Sequence, residues 1–173
     1  MKSLKTILFL ILLNLSSPVL GSDSSSVYTV DLNKLLRLTI SGKKIISENN
    51  VAKQLLQNEN ETLESELLLE EKELSELRKT LSTKDFRSKA LAFDEKVSII
   101  RSEQAKKEGN LLKDIRKKET DFFKNVYPIL YKVLSERGGL VLLDQRNVIF
   151  WDNSVDITDE AIDAINRFYL VGE

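Results

Sequence analysis

The chain has 173 residues, with no His, no Cys and two Pro, and its 26 basic residues nearly balance 27 acidic ones. This length suits one domain with a small appendage. Without His and Cys the chain lacks the commonest general base, the usual thiolate nucleophile and the main zinc ligands, which argues against an enzyme. We expect no cofactor, and the near-neutral charge argues against a nucleic-acid partner.

Residues 1–21 have the composition of an export signal. Two lysines precede a continuously apolar run from Ile7 to Leu13, and small residues follow it. The run is shorter than the roughly 20 residues that a bilayer-spanning helix needs, so a retained membrane helix is the weaker interpretation. We therefore expect a cleaved signal peptide and a single exported domain at residues 22–173. Loss of the two lysines leaves 24 basic against 27 acidic residues in that domain.

A short strand and a long helix are predicted next. Val27–Val30 is rich in β-branched and aromatic residues, which favours a strand, and Asp31 can cap the helix that follows. From there to Leu81 the chain holds no Pro and one Gly, and leucines recur at heptad spacing. The predicted seam consists of Leu56, Leu63, Leu67, Leu74, Leu77 and Leu81, and a strict count adds the polar Asn60 and Glu70.

The segment from Ser82 to Asp85 resembles a capping box, which predicts a turn and a new helix start. Beyond it apolar residues keep helical spacing, first from Phe86 to Ile100 and then from Leu111 to Val133. Two periodic segments of similar length around a short turn predict an antiparallel helical hairpin.

One register of this hairpin matches both its apolar and its charged residues. It sets an acidic stretch at residues 59–76 beside a basic stretch at residues 101–118. The expected neighbours are Leu74 and Ala90, Leu67 and Val97, Leu63 and Ile100, Glu64 and Arg101, and Glu59 and Lys106.

The seam of the returning helix is interrupted by polar residues. Gln104, Lys107, Glu108 and Gly109 fall where apolar side chains are expected. We expect the arm to be loose there, with Gly109 either a bending point or a position that admits a close neighbour.

A small body is predicted after the second helix, which Arg137-Gly138-Gly139 should end. Leu140–Leu143 and Val148–Trp151 are predicted as a strand hairpin, and Thr158 as the cap of a last helix. Three short strands bury too little alone, so we expect subunits to associate through them. The interface candidates are Val27, Tyr28, Val30, Leu140, Leu142, Val148 and Phe150.

The fold class expected is mainly α (α+β), a long antiparallel helical-hairpin arm at residues 41–125 on a small β-rich trimerisation body at residues 27–40 and 126–171. This organisation resembles the Skp/OmpH family of periplasmic chaperones. The resemblance rests on Val27-Tyr28-Thr29-Val30-Asp31, on Gly139-Leu140-Val141-Leu142-Leu143-Asp144 and on Val155-Asp156-Ile157-Thr158-Asp159-Glu160. It covers nearly the whole of residues 22–173.

The resemblance implies a function as well as a fold. In that family three subunits join their strands into a central body, and three arms surround a cavity that holds unfolded outer-membrane proteins without nucleotide. It implies that this chain is a periplasmic homotrimer that holds such clients. A structural coiled-coil spacer or adaptor of the cell envelope is the alternative. Family members are often strongly basic, whereas residues 22–173 are slightly acidic.

Two sets of side chains are candidates for client contact. The first is a basic cluster at the arm tip, made of Arg78, Lys79, Lys84, Arg87 and Lys89, which either steers acidic clients and touches anionic lipid weakly or is simply solvated. The second is an apolar set off the main seam, made of Leu68, Leu69, Leu91, Ile99 and Leu112. These residues either face the cavity or broaden the contact between the two helices.

Overall fold

The computed structural model describes residues 26–171, so the predicted signal peptide lies outside the described residues. The elements are β1 (Val27–Val30), α1 (Leu32–Leu38), α2 (Ile40–Leu77), α3 (Thr83–Glu136), β2 (Val141–Asp144) and α4 (Thr158–Val171). The mainly α class is thus confirmed. Within the described part of the chain, no helix has the length and apolar character that a membrane span requires.

The first long helix is broken at Thr39, whereas the sequence suggested one helix from residue 32 to residue 81. Thr39 has an extended backbone with ψ 154°, and its hydroxyl donates to the Leu35 carbonyl at 2.7 Å. The same hydroxyl accepts from the Gly42 N–H at 3.1 Å, so it caps α2. A Cβ on Gly42 would lie 2.0 Å from the Leu36 carbonyl oxygen, and only glycine permits this close approach.

The core of the body lies where α1, β1 and α4 pack against the C-terminal part of α3. Its larger cluster consists of Val30, Leu35, Phe122, Val126, Leu130, Ala161 and Ile165, and a smaller one of Tyr28, Val133, Leu134 and Ile157. Asp31 caps α1 as predicted, accepting from the Lys34 N–H at 3.0 Å.

The predicted strand hairpin is wrong. β2 pairs with β1 in parallel, with Val27 opposite Val141. Gln145–Asn147 forms a single 3-10 turn, and Val148–Trp151 forms no strand in the structure. Asp144 accepts the Arg146 N–H at 3.0 Å, which starts this turn in place of a hairpin loop. The body therefore shows two strands among residues 26–171 instead of three.

α3 ends as predicted, because Gly138 adopts a positive φ of 69°. Gly139 is then in close contact with the body: a Cβ there would lie 2.3 Å from Leu134 Cδ1 and 2.6 Å from Tyr28 Cδ2. These two glycines turn the chain from the long helix directly into β2.

The arm is the antiparallel hairpin of α2 and α3. Its turn comprises residues 78–82, and Ser82 caps α3 by accepting the Asp85 N–H at 3.2 Å, as the capping box predicted. The seam is also confirmed, since most of its predicted positions are half-buried, including the polar Asn60 and Glu70. Leu77 is the exception, at 37% exposed.

The register between the two helices differs from the prediction. Glu59 pairs with Lys107 and not with Lys106, and Leu74 lines one groove together with Phe93. Three ion pairs join the helices: Glu48–Lys118, Glu59–Lys107 and Glu70–Lys96. The two residue numbers of each pair add up to 166, whereas those of the predicted apolar pairs add up to 163 or 164. Each side chain of one helix fits between two side chains of the other helix. Two residues at equal distances from the turn are therefore not necessarily opposite each other.

Candidate functional site

The apolar residues predicted off the seam are all on the surface of the arm. Their exposed fractions range from 46% for Leu112 to 67% for Leu68. The set is Leu68, Leu69, Leu91, Ile99 and Leu112, each exposed in a helix whose inward face already has a seam. These side chains therefore lie outside the contact between α2 and α3.

The five residues are divided between two flanks of the arm. Leu68, Leu91 and Leu112 each follow a half-buried residue, whereas Leu69 and Ile99 each precede one. Successive side chains of a helix point about 100° apart, so these two groups lie on opposite sides of the seam. The arm consequently offers separate apolar points on both flanks and no single continuous stripe.

The five basic residues predicted at the tip are brought together there and are all exposed. Lys79 pairs with Glu76 at 2.7 Å, which neutralises one of them. The Arg78 guanidinium lies 5.9 Å from the centroid of the Phe86 ring, a cation–π contact that ties the end of α2 to the start of α3. The others, Lys84, Arg87 and Lys89, form no ion pair with a described residue.

The structure divides the predicted interface residues into two groups. Tyr28 and Val30 are buried in the subunit's own core, so they are not available to a partner subunit. They were assigned to the interface because a short strand of alternating residues does not show which of its faces a helix will cover. Leu142 and Val148 are half-buried, whereas Val27, Leu140 and Phe150 are exposed.

Sequence reasoning missed other large apolar residues on the body surface. Ile149 is 86% exposed and lies next to Phe150, which is 89% exposed. Tyr131, Val141 and Trp151 are also exposed. Ile149, Phe150 and Trp151 form a run of three large apolar residues, which could have indicated an exposed apolar surface. The incorrect assignment of this run to a strand hairpin hid that indication.

The acidic residues of the body are structural. Asp144 and Asp152 accept N–H groups two residues ahead, and Asp156 accepts the Thr158 N–H at 2.9 Å. Hydrogen bonding to Arg146 lowers the pKa of Asp144, and hydrogen bonding to Ser154 lowers that of Asp152. Carboxyl groups with lowered pKa values are ionised near neutral pH and are unsuited to general acid catalysis.

The pKa of Asp156 is lowered although its burial acts in the opposite direction. Partial burial raises its pKa, but hydrogen bonds from the Thr158 hydroxyl and N–H, a hydrogen bond from Gln145 and the Lys34 charge together outweigh burial, and the net direction is downward. Among the described residues there is also no cluster of three acidic side chains that could hold a metal ion. Asp144, Asp152 and Asp156 are thus hydrogen-bond acceptors within turns of the body, and large apolar side chains are exposed on both the arm and the body.

The structure is a long helical hairpin on a small body, and large apolar side chains are exposed on both. A family model described as outer membrane protein (OmpH-like) matches residues 26–165, so the chain belongs to that family. The resemblance seen in the sequence is thereby confirmed.

The structural comparison agrees with the family. A crystal structure from Caulobacter crescentus CB15, classed as an OmpH-like outer membrane chaperone, matches with a TM-score of 0.76 at 17% sequence identity. The match covers 83% of this chain and 85% of that chain. At this identity the likeness shows a shared fold. A comparison with curated proteins gives no match.

Proposed function

We propose that this protein is an ATP-independent holdase chaperone of the periplasm, which binds unfolded outer-membrane proteins between the arms of a homotrimer and keeps them from aggregating. The observation that carries the proposal is that all five apolar side chains predicted off the seam are exposed on the arm, where Val51 and Leu55 are exposed as well. Family membership supports it, and so does the structural neighbour that is classed as a chaperone.

The mode of binding follows from the distribution of these side chains. They lie on two flanks of the arm, so a client chain can touch several of them without adopting one geometry. Each contact is weak, but contacts linked along one client chain raise the effective concentration of the others. The sequence contains no glycine-rich phosphate loop, so no nucleotide-driven step is invoked.

Assembly is proposed to use the exposed surface of the body. Ile149 and Phe150 are almost fully exposed, and Val148 has an extended backbone with φ −117° and ψ 128°. An exposed apolar segment that begins with an extended residue can add as a strand to a sheet in another subunit. A trimer joined in this way would suspend three arms from one body.

The remaining parts of the proposal concern export and the arm tip. Residues 1–21 act as a signal peptide that is cleaved in the periplasm. The exposed basic cluster at the tip steers acidic clients toward the arms and makes at most a weak contact with anionic lipid.

Dilution of an unfolded outer-membrane protein from urea, followed by light scattering, tests the proposal. The chain from residue 22 should suppress aggregation without ATP. A variant with Gln at Leu68, Leu69, Leu91, Ile99 and Leu112 should suppress it much less while keeping its helix content. Full suppression by that variant would place client contact elsewhere, and no suppression by the unmodified chain would favour the structural spacer.

A further inference from the structure

The spacing of inward-facing residues changes halfway along the arm. On the tip side the half-buried positions of α3 alternate four and three residues apart, at Phe86, Ala90, Phe93, Val97, Ile100 and Gln104. On the body side the spacing becomes four, four and three, from half-buried Leu111, Ile115 and Glu119 to buried Phe122, Val126, Leu130 and Val133. Between the two segments Gly109 is the half-buried residue. The spacing of inward-facing residues therefore changes between Gln104 and Leu111.

The helices are poorly packed where these two segments meet. The side-chain oxygen of Asn60 is buried there and has no hydrogen-bond partner among the described residues. A Cβ on Gly109 would meet no atom within 4 Å, so the glycine is not explained by a close neighbour. Gln104 takes a half-buried place in the seam. The seam in the middle of the arm thus carries Asn60 and Gln104 in place of apolar side chains.

An ion pair lies beside this gap. The three inter-helix pairs are spaced eleven residues apart on both helices, and the middle one joins Glu59 to Lys107. Glu59 is adjacent to Asn60, and Lys107 lies between Gln104 and Gly109. The pair nearer the tip, Glu70–Lys96, is instead bordered by the seam residues Leu67, Leu74, Phe93 and Val97.

We propose that the Glu59–Lys107 bridge is a latch that closes the middle of the arm, and that releasing it lets the tip half swing relative to the body half. An exposed ion pair is ordinarily a minor contribution, because apolar packing nearby holds the same contact. At this position the apolar packing is missing, so the bridge is the principal inter-helix contact across the gap. The latch would adjust the distance from arm tip to body independently of what the arm binds.

Hydrogen exchange on the chain from residue 22 tests the latch. Lys107→Gln should speed amide exchange about two- to five-fold in residues 54–62 and 102–112. Lys96→Gln is the matched control, since Lys96 and Lys107 side chains are 49% and 50% exposed. Its effect around residues 66–74 should stay below about two-fold, because the half-buried Leu67 and Leu74 hold the seam on either side of that pair. Equal effects of the two variants would overturn the proposal.

Two further variants separate the latch from a general loss of helix. Exchanging the charges, with Glu59→Lys and Lys107→Glu together, should restore the original exchange rates. Asn60→Leu should fill the gap and make Lys107→Gln silent. The unmodified chain should also exchange faster in these segments as salt rises, and Lys107→Gln should not. Failure of the charge exchange to restore protection, or a salt response that survives in Lys107→Gln, would show that the bridge is not the latch; either result leaves the proposed holdase function untouched.

Discussion

The backbone N–H of Asp31 donates a hydrogen bond to the hydroxyl of Thr158, with 2.9 Å between nitrogen and oxygen. Asp31 begins α1 and Thr158 begins α4, so this bond joins two helix starts that are 127 residues apart. Thr158 is 1% exposed, and water cannot replace the hydroxyl. The bond fixes the last helix against the first part of the body.

Removing that hydroxyl should destabilise the body. Thr158→Val keeps the shape of the side chain but leaves the Asp31 N–H buried without a partner, so the free energy of unfolding should fall by about 1 to 3 kcal/mol. Urea denaturation at a fixed protein concentration measures this, and Thr158→Ser should retain most of the stability. An unchanged unfolding midpoint in Thr158→Val would show that the bond contributes nothing.

The same substitution should change the response to acid. Burial raises the pKa of Asp156, but hydrogen bonds from Thr158 and Gln145 and the Lys34 charge together lower it further, and the net shift is downward. A carboxyl group whose pKa is lowered on folding stabilises the protein at pH values above its pKa in the unfolded chain, about 3.9. That stabilisation is lost as the pH falls through the pKa in the folded protein. The stability difference between the original chain and Thr158→Val should therefore shrink from pH 6 to about pH 3. A constant difference would mean that Asp156 is not coupled to Thr158.

Adjacent leucines on the arm should respond differently to truncation. Leu67 lies half-buried in the seam, and Leu68 is 67% exposed. Leu67→Ala should cost about 2 kcal/mol, the lower end for buried leucines, whereas Leu68→Ala should leave thermal unfolding almost unchanged. Circular dichroism melting compares the two variants. Similar losses for both would contradict the observed seam.

Assembly should depend on the exposed loop of the body. Phe150→Asp places a charge at a residue that is 89% exposed in the single chain, so it should not disturb the subunit fold. If the loop joins subunits, burying that charge is unfavourable and the trimer should dissociate. Light scattering of separated species gives the mass, and Leu170→Asp, at a residue 64% exposed on α4, should remain trimeric. A trimeric Phe150→Asp variant would place the interface elsewhere.

Charge at the arm tip should affect the rate of client capture. Replacing Arg78, Lys79, Arg87 and Lys89 together with Glu should slow the capture of an acidic client at low salt. The capture rate of the original chain should fall as the salt concentration rises to 0.15 M, where the screening length is about 8 Å. Release should change less, since apolar contacts are not screened. Interchanging Lys and Arg at these positions keeps the charge and serves as the control. Unchanged capture by the reversed variant would reduce the cluster to a solvated turn.

The seam of the arm and the start of its second helix could be predicted from the sequence. Ser82 caps α3, and the seam positions other than Leu77 are half-buried where the spacing placed them, because the pattern of a two-helix contact is local and repeats along the chain. The end of α3 at Gly138 was predictable for the same reason, since a left-handed residue after a helix favours glycine.

The register of the arm and the arrangement of the body were decided only by the tertiary structure. Glu59 meets Lys107 because interdigitating side chains set the offset between the helices, which equal spacing from a turn does not specify. β2 pairs in parallel with β1, and the burial of Tyr28 and Val30 follows from the helices that cover β1. The strand pairing joins residues more than a hundred positions apart, and a strand of four residues holds too little information to select its partner or its covered face.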